Sequence, residues 1–198
     1  MSIRLSVVIP VYRSQAMLPE LHRRLVAALE TIGDPFEIIL VEDCGGDDSW
    51  SVIESLSAAD PRVRGLRLAR NYGQHNALLC GIRAARGELI VTIDDDLQNP
   101  PEEIHRLLVK LDEGCDVVYG YPQAETHGFL RDQASRITKL ALKSAMGVES
   151  ASKVSAFRVF RTRLREAFAA YCSPSVNIDV LLTWGTTRFG SVQVRQDE

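Results

Sequence analysis

Three consecutive aspartates, Asp94, Asp95 and Asp96, follow an apolar run in the stretch IVTIDDDLQNPP. Neighbouring carboxylates repel, and each costs on the order of several kcal/mol to dehydrate without a partner, so either water or a cation must stabilise the cluster. Mg²⁺ and Mn²⁺ prefer carboxylate oxygens, typically one or two of them together with substrate phosphates. Asp94 and Asp96 have that chemistry. On a regular strand they share a face; at a strand end, one can grip the metal while the other reaches a ribose or a metal-bound water. Asp43 closes a second apolar run, FEIILVED, and Tyr12 closes a third, LSVVIPVY. The plainer alternatives are a polar loop for the triple acid, an Asx turn or a cap onto the helix at Ser49 for Asp43, and an ordinary wall residue for Tyr12.

These residues gain meaning from the elements that carry them. The nearly continuous apolar run at 5–12 reads as a strand covered on both faces, and MLPELHRRLVAALETIG (17–33) sets Leu18, Leu21, Leu25 and Leu29 at helical spacing, with Gly33 as its stop. Strands at 36–43 and 63–69 alternate with helices at 48–59 and 75–87, the last ended by Gly87. The run ELIVTIDDD is a fourth strand, PPEEIHRLLVKLDEG (100–114) a helix with proline and two glutamates in its first turn, and DVVYGY (116–121) a short strand. This order predicts an α/β fold with a mostly parallel sheet and helices on both faces. Ligands of such sheets bind beyond the carboxyl ends of the strands. Tyr12, Asp43 and Asp94 to Asp96 all fall on that edge.

Composition narrows the classes. The 198 residues are 45% hydrophobic and 25% charged with a net charge of −3, which fits one domain over 1–198 and argues against a nucleic-acid partner. The four cysteines form no C-x-x-C pair, so neither a zinc site nor a disulfide framework is expected. No signal peptide and no apolar stretch long enough to span a bilayer is evident. The chain contains neither G-x-G nor G-x-x-x-x-G-K-[ST], so backbone amides of the common nucleotide loops do not explain phosphate binding. A divalent cation held by carboxylates is another way to neutralise a diphosphate.

VVIPVY, IILVEDCGGDDS and RNYGQHNALLCGIRAARGELIVTIDDDLQNPPEEI together resemble the family 2 glycosyltransferases of GT-A fold, and within them the polyprenyl-phosphate glycosyltransferase branch. The resemblance covers about residues 5–195. It implies a nucleotide-diphosphate sugar (UDP- or GDP-sugar) as donor, a polyprenyl phosphate as acceptor, Mg²⁺ or Mn²⁺ as cofactor, and a cytoplasmic location at the inner face of the membrane. By the same match, Pro10 and Tyr12 line the nucleotide, Val41 and Asp43 form the second-strand pair with the aspartate accepting a hydrogen bond from the base, Asp94 and Asp96 end the D-x-D motif, and Asp95 fills its middle. In HGFLRDQASRITKLALKSAMG (127–147), Arg131 and Ser135 are spaced to face one anion, and they match an arginine and a serine that hold the lipid phosphate in the family. Arg136, Lys139 and Lys143 form a second basic row beside Leu130, Ile137, Leu140 and Leu142, as in a helix lying at an anionic membrane surface. The plainer reading of that row is a solvated helix face.

Three departures from the family pattern stand out. Pro122 occupies a position where arginine is usual, Ser152 replaces an acid in SKVSAFR, and the sequence stops at VQVRQDE, before an expected loop and the transmembrane helices of many relatives. The departures keep alive a nucleotide-sugar-binding protein with a degenerate site. A transferase to a soluble or polysaccharide acceptor needs a general base, which Ser152 does not supply. A haloacid-dehalogenase-type D-x-D-x-[TV] reading fails on Leu97-Gln98. An oligomer is compatible with the sequence.

Overall fold

The structure is a computed structural model that describes residues 2–122 and 153–197. Its strands are β1 (Leu5–Val11), β2 (Phe36–Glu42), β3 (Val63–Arg67), β4 (Leu89–Thr92), β5 (Val117–Pro122), β6 (Arg158–Arg161) and β7 (Phe189–Val194), and its helices are α1 (Leu18–Ile32), α2 (Ser49–Ala59), α3 (Gln74–Ala84), α4 (Ile104–Asp112) and α5 (Ile178–Leu182). Two 3₁₀ segments, Pro101–Glu103 and Thr162–Phe168, precede α4 and follow β6. The strand order is β3-β2-β1-β4-β6-β5-β7. Among the described strands, only β6 runs against the others, pairing antiparallel with both β4 and β5. The expected α/β fold with a mostly parallel sheet is therefore present, with one reversed strand that the β-α alternation did not announce.

Strand periodicity divides the core into two layers. Leu5, Val7, Ile9 and Val11 of β1 pack with Leu18, Leu21, Leu25 and Leu29 of α1, Ile53 of α2 and Ile104, Leu107 and Leu111 of α4. On the opposite face, Val8, Ile39, Val41 and Ile90 meet Ala77, Leu78 and Ile82 of α3, Leu164 and Phe168, and Ile178, Leu181 and Leu182 of α5. Helices thus cover both faces, which explains why β1 and β2 are buried along their whole length and apolar at most positions on either side.

Two boundaries differ from expectation. The helix α3 stops at Ala84 rather than at Gly87, because Ala85 turns extended (φ −62°, ψ 141°) and the Arg165 guanidinium takes the carbonyls of Ile82 at 3.1 Å and Ala85 at 2.7 Å. The strand β4 ends at Thr92, where its antiparallel partner β6 begins at Arg158. Gly33 closes α1 as expected, with φ 82° and its N–H on Leu29 O at 3.1 Å.

Candidate nucleotide-sugar site

The carboxyl ends of β1, β2 and β4 meet at one edge. Val11 O accepts Asp43 N–H on the β2 side, whereas Val8 O accepts Ile93 N–H on the β4 side. Hydrogen bonds alternate along β1, so the donor that Pro10 lacks falls toward β4, beyond Thr92 where that strand has ended. Proline costs no ladder bond there. Among the described residues, the non-glycine positions with positive φ are Arg13 (57°), Cys44 (55°) and Leu97 (61°). They lie in the loops that leave β1, β2 and β4. Backbone strain of this kind costs about 1–3 kcal/mol per residue and gathers where a fold holds a site.

Asp43 is 3% exposed, and its carboxylate is occupied: Oδ1 accepts Tyr72 N–H at 2.7 Å and Oδ2 accepts Gly73 N–H at 2.8 Å. Gly73, with φ 89°, is the N-cap of α3, so Asp43 fastens the loop between β3 and α3 rather than the helix at Ser49. That helix is reached by Asp47, whose Oδ2 accepts the Ser49 hydroxyl at 2.8 Å. Each Asp43 oxygen retains a second lone pair for a ligand. The next residue, Gln74, donates from Nε2 to Asp94 Oδ1 at 2.6 Å. Glu42 is buried, accepts Gly45 N–H at 2.7 Å and has the Arg67 guanidinium at 3.3 Å, so it braces the loop after β2.

The three aspartates lie in the turn after β4, not on the strand itself. They do different things. Asp95 Oδ2 accepts Tyr12 N–H at 3.2 Å and the Ser14 hydroxyl, which ties the β4 turn to the end of β1. Asp96 is exposed and accepts Gln98 N–H at 3.1 Å. Burial and the facing charge of Asp96 push the Asp94 carboxyl up to about 6, against the pull of Arg158. A carboxylate held at such cost is suited to a cation. Among the described residues no group of three or more His, Cys, Asp or Glu side chains converges as a complete metal cage. The donor set is instead a pair of hard oxygen ligands, Asp94 and Asp96, which fits Mg²⁺ or Mn²⁺ sharing its coordination with phosphates.

Tyr12 is 45% exposed with the Arg13 guanidinium 5.2 Å from its ring centroid, and Tyr72 is 44% exposed with Arg70 at 4.7 Å. Both rings are open to a planar ligand. Val41 is buried against the α3 layer opposite Pro10, so its side chain shapes the wall from behind.

Residues 6–172 match the profile described as Glycosyl transferase family 2. The chain belongs to that family. It is 42% identical over 180 residues to an undecaprenyl-phosphate 4-deoxy-4-formamido-L-arabinose transferase of Enterobacter sp. (strain 638), a match covering 90% of this chain and 55% of that protein. The family 2 chain thus spans little more than half the length of this curated relative. Among solved structures it resembles a mannosyltransferase from Pyrobaculum calidifontis in complex with GDP-Man and Mn²⁺ (TM-score 0.68, 19% identity, 100% of this chain and 57% of the other). It also resembles glucosyl-3-phosphoglycerate synthase from Mycobacterium tuberculosis, solved with Mn²⁺, UDP and glucosyl-3-phosphoglycerate (TM-score 0.69, 20% identity, 99% and 72%). These likenesses establish the GT-A fold for this family 2 chain.

Beneath the aspartates lies a buried polar floor that sequence reasoning did not assemble. Arg158, 1% exposed, donates from Nε to Thr92 Oγ1 at 3.0 Å and pairs with Asp179, which also accepts the Tyr119 hydroxyl at 3.0 Å. Arg158 was visible as the end of SKVSAFR. Asp179 carried one signal, a lone acid inside the apolar run NIDVLL behind the cap residue Asn177. Ser155 of the same motif lies 2.6 Å from Gly120 O, which fixes the approach to β6. Pro122 ends β5 opposite Val194. Arg131, Ser135 and Ser152 lie outside the described residues, as does the basic row from Arg136 to Lys143. No described helix is long and apolar enough to cross a membrane.

A cleft of about 430 Å³ opens at the other edge of the sheet, lined by Arg4, Arg161, Arg163 and Arg165 among others. Its guanidiniums are engaged, Arg4 by Asp34, Arg161 and Arg163 by Asp116, and Arg165 by the carbonyls that end α3. That cleft serves the fold.

Proposed function

We propose that this family 2 chain is the catalytic part of an inverting glycosyltransferase that moves a sugar from a UDP- or GDP-sugar to a polyprenyl phosphate. The observation that carries the reading is the link across three strand ends: Asp43 holds Tyr72 and Gly73, Gln74 holds Asp94, and Asp95 holds Tyr12. Groups suited to a base, a ribose and a diphosphate are thereby fixed relative to one another before any ligand arrives, which is what positioning a donor requires.

In this reading Tyr12 stacks on the base, Pro10 and Val41 shape its wall, and Asp43 accepts a base N–H with its remaining lone pairs. Asp94 and Asp96 hold Mg²⁺ or Mn²⁺, and Asp95 contributes by holding Tyr12 in place. The bound metal supplies electrostatic neutralisation of the departing diphosphate. Arg131 and Ser135 take the acceptor phosphate. Its second pKa is about 6, so at neutral pH the phosphate oxygen is already anionic and needs no base to attack the anomeric carbon. The new bond forms as the bond from that carbon to the diphosphate breaks, the nucleoside diphosphate carries away the electron pair, and configuration inverts. Asp179, committed to Arg158 and Tyr119, is placed as a structural group, which agrees with an acceptor that requires no general base. With a nucleotide sugar as donor and a membrane lipid as acceptor, the reading puts the reaction at the inner face of the membrane.

The test is transfer from a panel of UDP- and GDP-sugars to a short-chain polyprenyl phosphate, with the matching polyprenol as control. Transfer to the phosphate alone supports the reading. Equal transfer to the polyprenol, or transfer only to soluble glycans, defeats it.

A further inference from the structure

The mechanism above gives His75 no task. His75 is the second residue of α3, beside Gln74, and it is half-buried. Its Nδ1 lies 3.3 Å from the amide of Ile178, the first residue of α5. A backbone N–H can only donate, so Nδ1 is the acceptor and the single proton of the neutral ring sits on Nε2. Burial, and next to it the charge of Arg158, hold the imidazole below the usual histidine pKa, with Asp179 opposing. The ring is therefore neutral near pH 7 and its tautomer is set by the contact between α3 and α5.

The same Arg158 guanidinium acts on Asp94, and the residue before His75 binds Asp94 directly. His75 thus adjoins the residue that binds Asp94 and lies within the field of Arg158, which is bonded to the last residue of β4. Among the described residues no hydrogen-bond partner faces its Nε2–H. Nε2 is not among the buried side-chain atoms that lack a partner, so in the free protein water can reach this N–H, and a ligand oxygen that displaces the water must accept the bond in its place. Being neutral, the ring contributes a directed donor and no further charge beside Arg158.

We propose that His75 is a phosphate-binding residue, donating from Nε2 to a phosphoryl oxygen in the site. The inference rests on the glycosyltransferase reading above. Two ligands bring that oxygen, the donor's diphosphate and the acceptor's monoester.

The experiment measures binding of UDP and GDP, each with Mn²⁺, and separately of a short-chain polyprenyl phosphate, to the parent chain, His75→Asn and His75→Gln. Asparagine can still accept the Ile178 amide but has no donor at the Nε2 position; glutamine restores a donor near that position. Expected are a loss of about tenfold or more for His75→Asn with one of the two ligand types, and recovery of most of it by His75→Gln. The ligand affected identifies which phosphate is bound. Long-range ¹H–¹⁵N spectra of the parent should show a neutral ring protonated at Nε2, with the Nε2 resonance moving on ligand addition. Unchanged affinity in both arms for His75→Asn, weaker binding only for His75→Gln, or a ring protonated at Nδ1 overturns the proposal. If the parent itself binds neither nucleotide nor lipid phosphate, the glycosyltransferase reading falls and this one with it.

Discussion

Gln74 Nε2 lies 2.6 Å from Asp94 Oδ1, bridging the first turn of α3 and the turn after β4. The two residues are 20 apart in sequence and belong to adjacent strand-end loops of the sheet. Because Asp43 anchors the preceding residues Tyr72 and Gly73, Gln74 cannot swing freely. One oxygen of Asp94 is thereby fixed while the other remains for a cation.

Loss of that bridge has a defined cost. Partners that orient a metal-binding carboxylate are typically worth roughly ten- to hundredfold in metal affinity. Gln74→Ala should weaken Mn²⁺ binding in the presence of UDP or GDP by that range, as read by Mn²⁺ electron paramagnetic resonance, while leaving the melting temperature nearly unchanged because Gln74 is exposed. Parental Mn²⁺ affinity would show that the bridge is incidental.

Asp96→Ala should abolish Mn²⁺-dependent nucleotide binding with the fold intact. Asp96 is exposed, its carboxylate accepts Gln98 N–H at 3.1 Å, and its removal relieves repulsion with Asp94. A pH dependence accompanies this. A carboxyl raised to about 6 holds its proton below that pH, and the proton competes with the metal. Mn²⁺ affinity of the parent should therefore fall as pH drops through about 6, a full unit or more above where an ordinary aspartate titrates. Titration calorimetry between acid and neutral pH checks both statements, and a flat profile contradicts the second.

The Asp43 carboxylate accepts two backbone N–H groups in a nearly dry place. Asp43→Asn keeps the shape but turns an NH₂ toward one of those donors, so about 1–3 kcal/mol of stability should be lost, together with nucleotide affinity. Chemical denaturation with an unchanged m-value measures the first effect. An intact stability with lost affinity would mean that the ligand contact alone matters.

The sequence carried the local half of this site. Asp43 and Asp94 to Asp96 end apolar runs, so their placement at one sheet edge follows from the strand pattern and the parallel connections. The half it concealed consists of pairings between distant residues. Nothing near Asp179 reveals that Arg158 will neutralise it, since burial of a charge is decided by which elements close over it. The same reason hid the tasks of Gln74 and His75, whose partners Asp94 and Ile178 arrive from β4 and α5. Strand β6 escaped the alternation for another cause: it pairs antiparallel with both β4 and β5, a direction that a succession of parallel units does not contain.

Arg131 is expected to act on the acceptor alone. Its spacing from Ser135 and its match to the lipid-phosphate arginine of the family are the grounds for this expectation. Arg131→Ala should leave nucleotide affinity near the parental value yet raise the KM for polyprenyl phosphate or lower kcat, by up to about a hundredfold if the lost charge-assisted bond is worth about 3 kcal/mol. Ser135→Ala should cost less. An equal fall in nucleotide affinity would assign Arg131 to the donor instead.

The buried pair of Arg158 and Asp179 offers a way to separate stability from electrostatics. Removing one partner leaves the other charged and dry, so Arg158→Ala should destabilise the fold by about 3–5 kcal/mol. Replacing the network with apolar groups of similar volume avoids that penalty: Arg158→Met with Asp179→Leu and Tyr119→Phe removes both charges and the hydroxyl that depends on Asp179. This triple variant should unfold within about 1–2 kcal/mol of the parent, because desolvation of a buried ion pair offsets much of its attraction. Its activity should nevertheless stay low. The Arg158 charge acts on both Asp94 and His75, and its loss lets the Asp94 carboxyl hold its proton to higher pH. The acid limb of the pH profile for Mn²⁺ binding should accordingly shift upward in the triple variant. Recovery of both stability and the parental pH profile would reduce the network to a structural brace.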